Sequence, residues 1–378
     1  MSEKSLPHSN KHPIPSTMMA VVTTGNGGYD KQEYKRVPLP QLRTGEVLLK
    51  VLAAGMNNTE INIRVGWYSK SVISSTEVLS ETQTKSLGNK SDGGWNKTTP
   101  FPIIQGTDCC GEVVAFGSDG YEHLVGSRVL VRACIRSAGF QSLDNIWMAS
   151  DFDGAFAEYV KVPISEISPV ICDWTDAELA TIPCAYGTAE NMLHRSGCKS
   201  GDHVAITGAS GGVGSAAIQL AKRRGERVTA ITSIAKVDAV RSVGADQVIT
   251  NTNDLLAANG DGFFDIAVDN VAGEGFPKIL QLLKRGGVYV SSGAIAGPIV
   301  SLDLRDMYLK DITIIGTTAW DEPIFQHLIS YIEKGEIRPL LAKTFPLCDI
   351  VLAQKAFLKK SMLETLLYCR GIKLKVAN

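Results

Sequence analysis

The residues with the most definite chemistry are the small ones of Gly208-Ala209-Ser210-Gly211-Gly212-Val213-Gly214. Ala209, Gly211 and Gly214 fall at the spacing of a pyrophosphate-binding fingerprint, with Ala in place of the first glycine. Gly211 leaves room for the pyrophosphate to approach the backbone, and Gly214 lets the next helix pack closely on the preceding strand. Ser210, Gly212 and Val213 complete the turn and lead into a helix N-terminus, where free N–H groups and the dipole favour an anion. A glycine run alone is weak, and its flanks decide. His203-Val204-Ala205-Ile206-Thr207 reads as a buried strand, Ser215 to Lys222 as a helix with one apolar face, and Val228 to Thr232 as a second strand. The result is one βαβ unit of a dinucleotide-binding sheet. An acid at the end of the second strand would mark NAD by bonding both ribose hydroxyls. Here that end reads Thr232-Ser233-Ile234-Ala235-Lys236. Ser233 by hydrogen bond and Lys236 by charge suit a 2′-phosphate, so the expected cofactor is NADPH. The plainer alternative for Lys236 is a solvated lysine opening the next helix.

The rest of the chain must position that turn against a substrate. With 378 residues and 44% hydrophobic content, two domains with real cores are expected. The net charge of −1 gives no electrostatic footprint for nucleic acid or a membrane surface. No run of about 18 apolar residues marks a membrane span. Residues 1–16 are polar, with no apolar core of a signal peptide, and read as a loose tail. Eight cysteines are scattered without a C-x-x-C pair, which fits reduced thiols in a cytoplasm. Short β runs separated by glycines fill residues 17–172 and read as a small barrel-like sheet. Within them, residues 69–100 are rich in Ser, Thr, Gly, Asn and Lys and read as a long inserted loop, a lid, an oligomer contact or an untethered surface insertion. Strands alternate with helices over 173–317, the period of a parallel, doubly wound sheet. Residues 318–378 begin with a helix and most simply return to the first domain. Asn270 and Gly293-Ala294-Ile295 end strands at the carboxyl edge of the sheet, where ligands bind in open α/β folds. His194 and His203 lack partner spacing and read as structural, and Asp269 as a loop-orienting residue without chemistry.

The order of these motifs resembles the medium-chain dehydrogenase/reductase superfamily from about Met18 to the C-terminus. The resemblance is carried by the 45–60 strand and turn, Pro102 to Gly117, Gly154 to Val162, Pro183 to Leu193, the glycine turn, Gly244-Ala245-Asp246, Asp269 to Gly273, and Leu302 to Gly316. It implies an α/β fold, with a GroES-like β-rich substrate domain and a Rossmann doubly wound parallel sheet meeting at a cleft. Thr188, in Gly187-Thr188-Ala189, falls where the family often contacts the nicotinamide. The strand at Ile312 to Ile315 resembles one that often pairs across a dimer axis, so a homodimer or homotetramer is expected.

The zinc-containing members hold their catalytic metal with Cys, His and Cys. Carried over, those positions fall on Asn57, Thr107 and Cys184, with Asp108 as a further oxygen donor, and the four-cysteine structural lobe is missing between Val131 and Asp151. Asn and Thr are poor zinc ligands, so no metal site is expected. The chain then resembles the zinc-independent quinone and enone/enoyl reductases. In that branch Asn57 matches a residue lining the nicotinamide side of the cleft, and Tyr68 falls where some enoyl reductases carry a proton-donating tyrosine. A phenol there suits protonation of the enolate that builds after hydride addition to an activated alkene; the plainer alternative is an aromatic wall like Trp67. The expected activity is NADPH-dependent, zinc-independent reduction of an activated C=C bond or quinone in the cytoplasm. The alternatives are an alcohol/aldehyde oxidoreductase and an NADPH-binding protein without turnover.

Overall fold

The computed structural model describes residues 14–82, 92–259, 262–359 and 366–367. Most of the expected tail, residues 1–13, lies outside them.

The chain begins as antiparallel sheet. Thr17–Thr23 pairs on one side with Gln32–Pro38 and on the other with Ile103–Ile104. A second sheet is centred on Glu46–Gly55, which alternates toward the core through Val47, Leu49, Val51 and Ala53. It pairs antiparallel with Cys110–Phe116, Tyr159–Pro163 and the late strand Leu366–Leu367. The last of these brings the chain back to the first domain.

From Pro183 onward the period changes. Six strands form a parallel sheet in the spatial order Gln247–Ile249, Arg227–Ile231, His203–Ile206, Phe264–Val268, Leu283–Ser291, Thr313–Gly316. This is the order of a doubly wound dinucleotide-binding sheet. Its central strand, His203–Ile206, is buried throughout and reads as an apolar run, as a strand covered on both faces must. Helices Pro183–Arg195 and Gly212–Arg223 pack on each other, and the later helix Pro323–Glu333 packs on the first of them. The carboxyl ends of the parallel strands face the first domain, so the cleft is set by topology.

Residues 69–100 are not wholly irregular. Thr76–Thr82 forms a short helix. Its sequence TEVLSET has little helix propensity, and tertiary contacts fix its start. The Thr76 hydroxyl donates to Asn62 Oδ1 at 2.9 Å and its N–H to the Ile295 carbonyl at 3.2 Å. The segment therefore spans from the first domain to the Rossmann sheet.

Candidate active site

A cleft of about 1000 Å³ runs between the two domains. At one end lies the glycine turn. Gly208, at φ +55°, makes the tight bend that the sequence pattern assigns to Ala209. Ala209 is fully buried beneath the turn and does not line the cleft, and the left-handed conformation falls on Gly208, which takes it without a Cβ penalty. Gly214 is also behind the cleft. A Cβ there would fall 2.4 Å from the Gly208 carbonyl oxygen and 2.7 Å from Ala209 Cα, so its role is helix-to-turn packing. Ser210, Gly211, Gly212 and Val213 do line the cleft. Gly211 begins the helix Gly212–Arg223, and no side chain caps it. A Cβ on Gly211 would meet nothing within 4 Å except the Gly208 oxygen at 3.4 Å. An uncapped helix N-terminus beside open backbone is a cradle for a pyrophosphate.

The remaining expected cofactor residues converge on the same cleft. Thr188, Ser233, Lys236, Asn270, Gly293, Ala294 and Ile295 all line it. Ser233 and Lys236 flank the short turn after Arg227–Ile231, at the rim. Asn270 Oδ1 accepts from the N–H and hydroxyl of Ser292, each at 2.9 Å, and the Asn270 carbonyl accepts from the Ile295 N–H at 3.2 Å. Asp269 fixes this edge without facing a ligand. Its carboxylate accepts from Thr207, Tyr289 and the N–H groups of Val271 and Ala272. His203 is structural as well. It shares a hydrogen bond with Thr229, and burial with Arg227 and Lys284 nearby lowers its pKa to about 4.

At the other end, the helix Asn58–Val65 starts from Asn57. Glu60 reaches back to accept the Asn57 N–H at 2.8 Å, a capping interaction that orders the helix start. The Asn57 side chain donates to Asp108 Oδ2 at 2.8 Å, and Asp108 Oδ1 accepts the Cys184 N–H at 2.6 Å. Thr107 donates both its N–H and its hydroxyl to Glu60 Oε1, at 2.8 and 2.7 Å. Gly55 makes room for this network, since a Cβ there would lie 2.4 Å from Asp108 Oδ2. Burial raises the Asp108 pKa to about 7, reinforced by the nearby Glu60, and pushes the Cys184 thiol well up.

This set of groups is poorly suited to zinc. Catalytic zinc takes about three nitrogen, sulfur or carboxylate ligands from the protein, whereas the Asn57 amide and Thr107 hydroxyl are engaged with Asp108 and Glu60. Among the described residues no group of three or more His, Cys, Asp or Glu is arranged to hold a metal ion.

Tyr68 follows the helix after Gly66, whose φ of +69° turns the chain. Burial pushes the pKa of its phenol up, with the side chains of Asn62 and Thr59 nearby acting in the opposite direction. Around it stands an aromatic wall that sequence spacing does not reveal. Trp67, Trp95, Trp147 and Trp320 come from four separate segments and all line the cleft.

Fold and cleft together define a nicotinamide-dependent oxidoreductase with a GroES-like substrate domain. Comparison with known proteins agrees. Residues 43–171 match the alcohol dehydrogenase GroES-like domain and residues 212–334 match the zinc-binding dehydrogenase family. The chain belongs to the medium-chain dehydrogenase/reductase superfamily, in its zinc-type alcohol dehydrogenase-like group. An acryloyl-coenzyme A reductase from Metallosphaera sedula is 27% identical over 345 residues, covering 88% of this chain and 94% of that protein. A 2-methylene-furan-3-one reductase from Solanum lycopersicum is 27% identical over 332 residues, covering 87% of this chain and 72% of that protein. Among solved structures, a Sinorhizobium meliloti 1021 protein provisionally assigned as an alcohol dehydrogenase is 38% identical. It superposes with a TM-score of 0.84, covering 94% of this chain and 98% of that one. No helix among the described residues is long and apolar enough to cross a membrane.

Proposed function

We propose that this oxidoreductase is an NADPH-dependent, zinc-independent reductase of an activated C=C bond or a quinone. The observation that carries the reading is the Asn57–Asp108–Cys184 hydrogen-bond network, standing where the zinc enzymes carry ligands and facing a phenol across the same cleft. A bound nicotinamide would supply the hydride equivalent. The Ser210–Val213 turn and the helix behind it would hold the pyrophosphate, Ser233 and Lys236 the 2′-phosphate, and Thr188, Asn270 and Gly293–Ile295 the nicotinamide end. Tyr68 then does the acid work. Its raised pKa keeps the phenol protonated at neutral pH. It donates that proton to the substrate enolate, or to the reduced quinone oxygen, as negative charge builds there. Asn57 stays oriented by Asp108 and lines the cleft beside the reacting carbon. The aromatic wall excludes water from the charged intermediate.

Two further parts of the reading concern the setting. The edge strand Thr313–Gly316 leaves Ile314 41% exposed, which supports association through that strand into a homodimer or homotetramer. The described cysteines are free thiols, which supports a reducing, cytoplasmic compartment.

Product analysis tests the chemistry. Cyclohexenone with NADPH should yield cyclohexanone. Accumulation of the allylic alcohol would overturn C=C reduction and favour the alcohol/aldehyde reading.

A further inference from the structure

Four of the chain's five tryptophans line one end of the cleft. With Tyr68 they form a continuous ring chain. Trp67 meets Tyr68 edge-on at 5.5 Å between centroids, Tyr68 meets Trp95 at 5.0 Å, Trp95 stacks on Trp147 at 5.0 Å, and Trp147 meets Trp320 edge-on at 5.3 Å. The middle member, Trp95, is supplied by the 69–100 segment.

That segment is built to hold it. Asp92 accepts the Lys70 N–H at 3.0 Å. Asn96 donates to the Asn145 carbonyl at 2.9 Å and to Asp151 at 3.0 Å. Gly94 permits the tight bend between them, since a Cβ there would fall 2.0 Å from the Lys97 carbonyl oxygen. Trp320 is likewise given its place, because a Cβ on Gly187 would lie 2.3 Å from its ring. Trp147 and Trp320 are almost fully buried, whereas Trp67 and Trp95 keep partly exposed surface on the cleft.

The charge around this wall is equally informative. Among the described residues the cleft lining contains no arginine, and its lysine is Lys236, at the cofactor end. A substrate carboxylate or phosphate would find no cationic partner among those residues beside the rings, and burying an unpaired charge there is costly. Flat π faces instead favour a flat, uncharged ligand with a π system of its own.

We infer that residues 92–100 are a specificity element, and that Trp95 completes a pocket selecting neutral, planar, aryl-conjugated enones or aromatic quinones over alkyl enones and acyl-coenzyme A esters. The inference rests on the reductase reading above and names its substrate class.

The test compares kcat/KM for benzylideneacetone, its alkyl counterpart ethylideneacetone, and crotonyl-coenzyme A, in the wild type, Trp95→Ala and Trp95→Phe. Both ketones are β-substituted enones, so the ratio isolates the aryl ring. The wild type should prefer the aryl enone by about tenfold or more, the size of a lost aromatic face contact together with its buried area. Trp95→Ala should lower the aryl-to-alkyl ratio about tenfold, mainly through KM, and Trp95→Phe should restore most of it. An unchanged ratio in Trp95→Ala, or a wild type that prefers the alkyl enone or the coenzyme A ester, would overturn the inference. A calorimetric titration with benzylacetone, the saturated ketone, in the presence of NADP+ separates the two readings. Tight binding by the wild type and about tenfold weaker binding by Trp95→Ala, with no turnover of any alkene or quinone, would sink the reductase reading and leave the aryl pocket standing.

Discussion

Removing the amine of Lys236 should cost the protein its preference for NADPH. Lys236 is half-buried at the cleft rim and Ser233 is exposed beside it. A charge-assisted hydrogen bond contributes roughly 1.5–3 kcal/mol, and screening at an open rim reduces that to about 1–2 kcal/mol. At about 1.4 kcal/mol per decade, Lys236→Ala should lower kcat/KM for NADPH about 5–30-fold. The neutral hydroxyl of Ser233 contributes less, roughly 0.5–1.5 kcal/mol, so Ser233→Ala should cost about 2–12-fold. NADH carries no 2′-phosphate, and its kcat/KM should stay within about twofold in both variants. Nothing acidic in the lining competes for the ribose, because the Asp108 and Asp269 carboxylates are engaged within the protein. Ser233→Asp, which adds a carboxylate near the ribose hydroxyls, should invert the preference. Steady-state kinetics with both cofactors, at low and at moderate salt, measures each term, and the wild-type preference should shrink as salt rises. Equal losses for NADPH and NADH in Lys236→Ala, or a wild type that prefers NADH, would refute the assignment of the 2′-phosphate site.

Three other outcomes follow from the same geometry. Tyr68→Phe should lower kcat about 100-fold, the low end for a positioned general acid, with KM little changed; because burial raises the Tyr68 pKa, wild-type kcat should show no loss of the phenol proton up to the ordinary tyrosine range, and a variant with unimpaired kcat would make Tyr68 a wall only. Gly214→Ala places a Cβ 2.4 Å from backbone; thermal unfolding should show about 1–3 kcal/mol of destabilisation, and wild-type stability would contradict the helix-to-turn packing. Asp108 has its folded pKa raised from 3.8 to about 7, so the folded state holds one more proton than the unfolded state between those values. Its contribution is full below the lower value and declines as pH rises through the window, by up to about 1.4 kcal/mol per pH unit. Unfolding of Asp108→Asn by denaturant from pH 4 to 8 should lack that decline, and parallel pH profiles for variant and wild type would rule out a neutral buried carboxyl.

The parts legible in the sequence are those where backbone geometry itself demands a residue type. Gly214 sits where a side chain would meet the neighbouring turn, Gly211 leaves open backbone at the helix start, and the apolar runs around them give the parallel sheet. Even there the bend belongs to Gly208 and not to Ala209, because spacing alone does not reveal which residue takes a positive φ. Ser233 and Lys236 line the cleft together because they follow one strand directly. The helix at Thr76–Thr82 was not readable, since its hydrogen bonds to Asn62 and Ile295 stand in for helix propensity. The aromatic wall was invisible for a different reason. Trp67, Trp95, Trp147 and Trp320 share no spacing, and only the packing of four segments brings their rings together. The residue types of Asn57 and Thr107 are visible in the sequence, but that Asn57, Asp108 and the Cys184 backbone satisfy one another emerges only in three dimensions.

Whether the protein turns over without metal is decided by measuring zinc and activity on the same preparation. Purified protein, before and after dialysis against a chelator, would be assayed for zinc and for NADPH consumption with an enone and a quinone. Negligible zinc and the same turnover in both preparations are expected. About one zinc per chain, with turnover lost to the chelator and regained on adding zinc, would contradict zinc independence and assign Cys184 and Asp108 to a metal site.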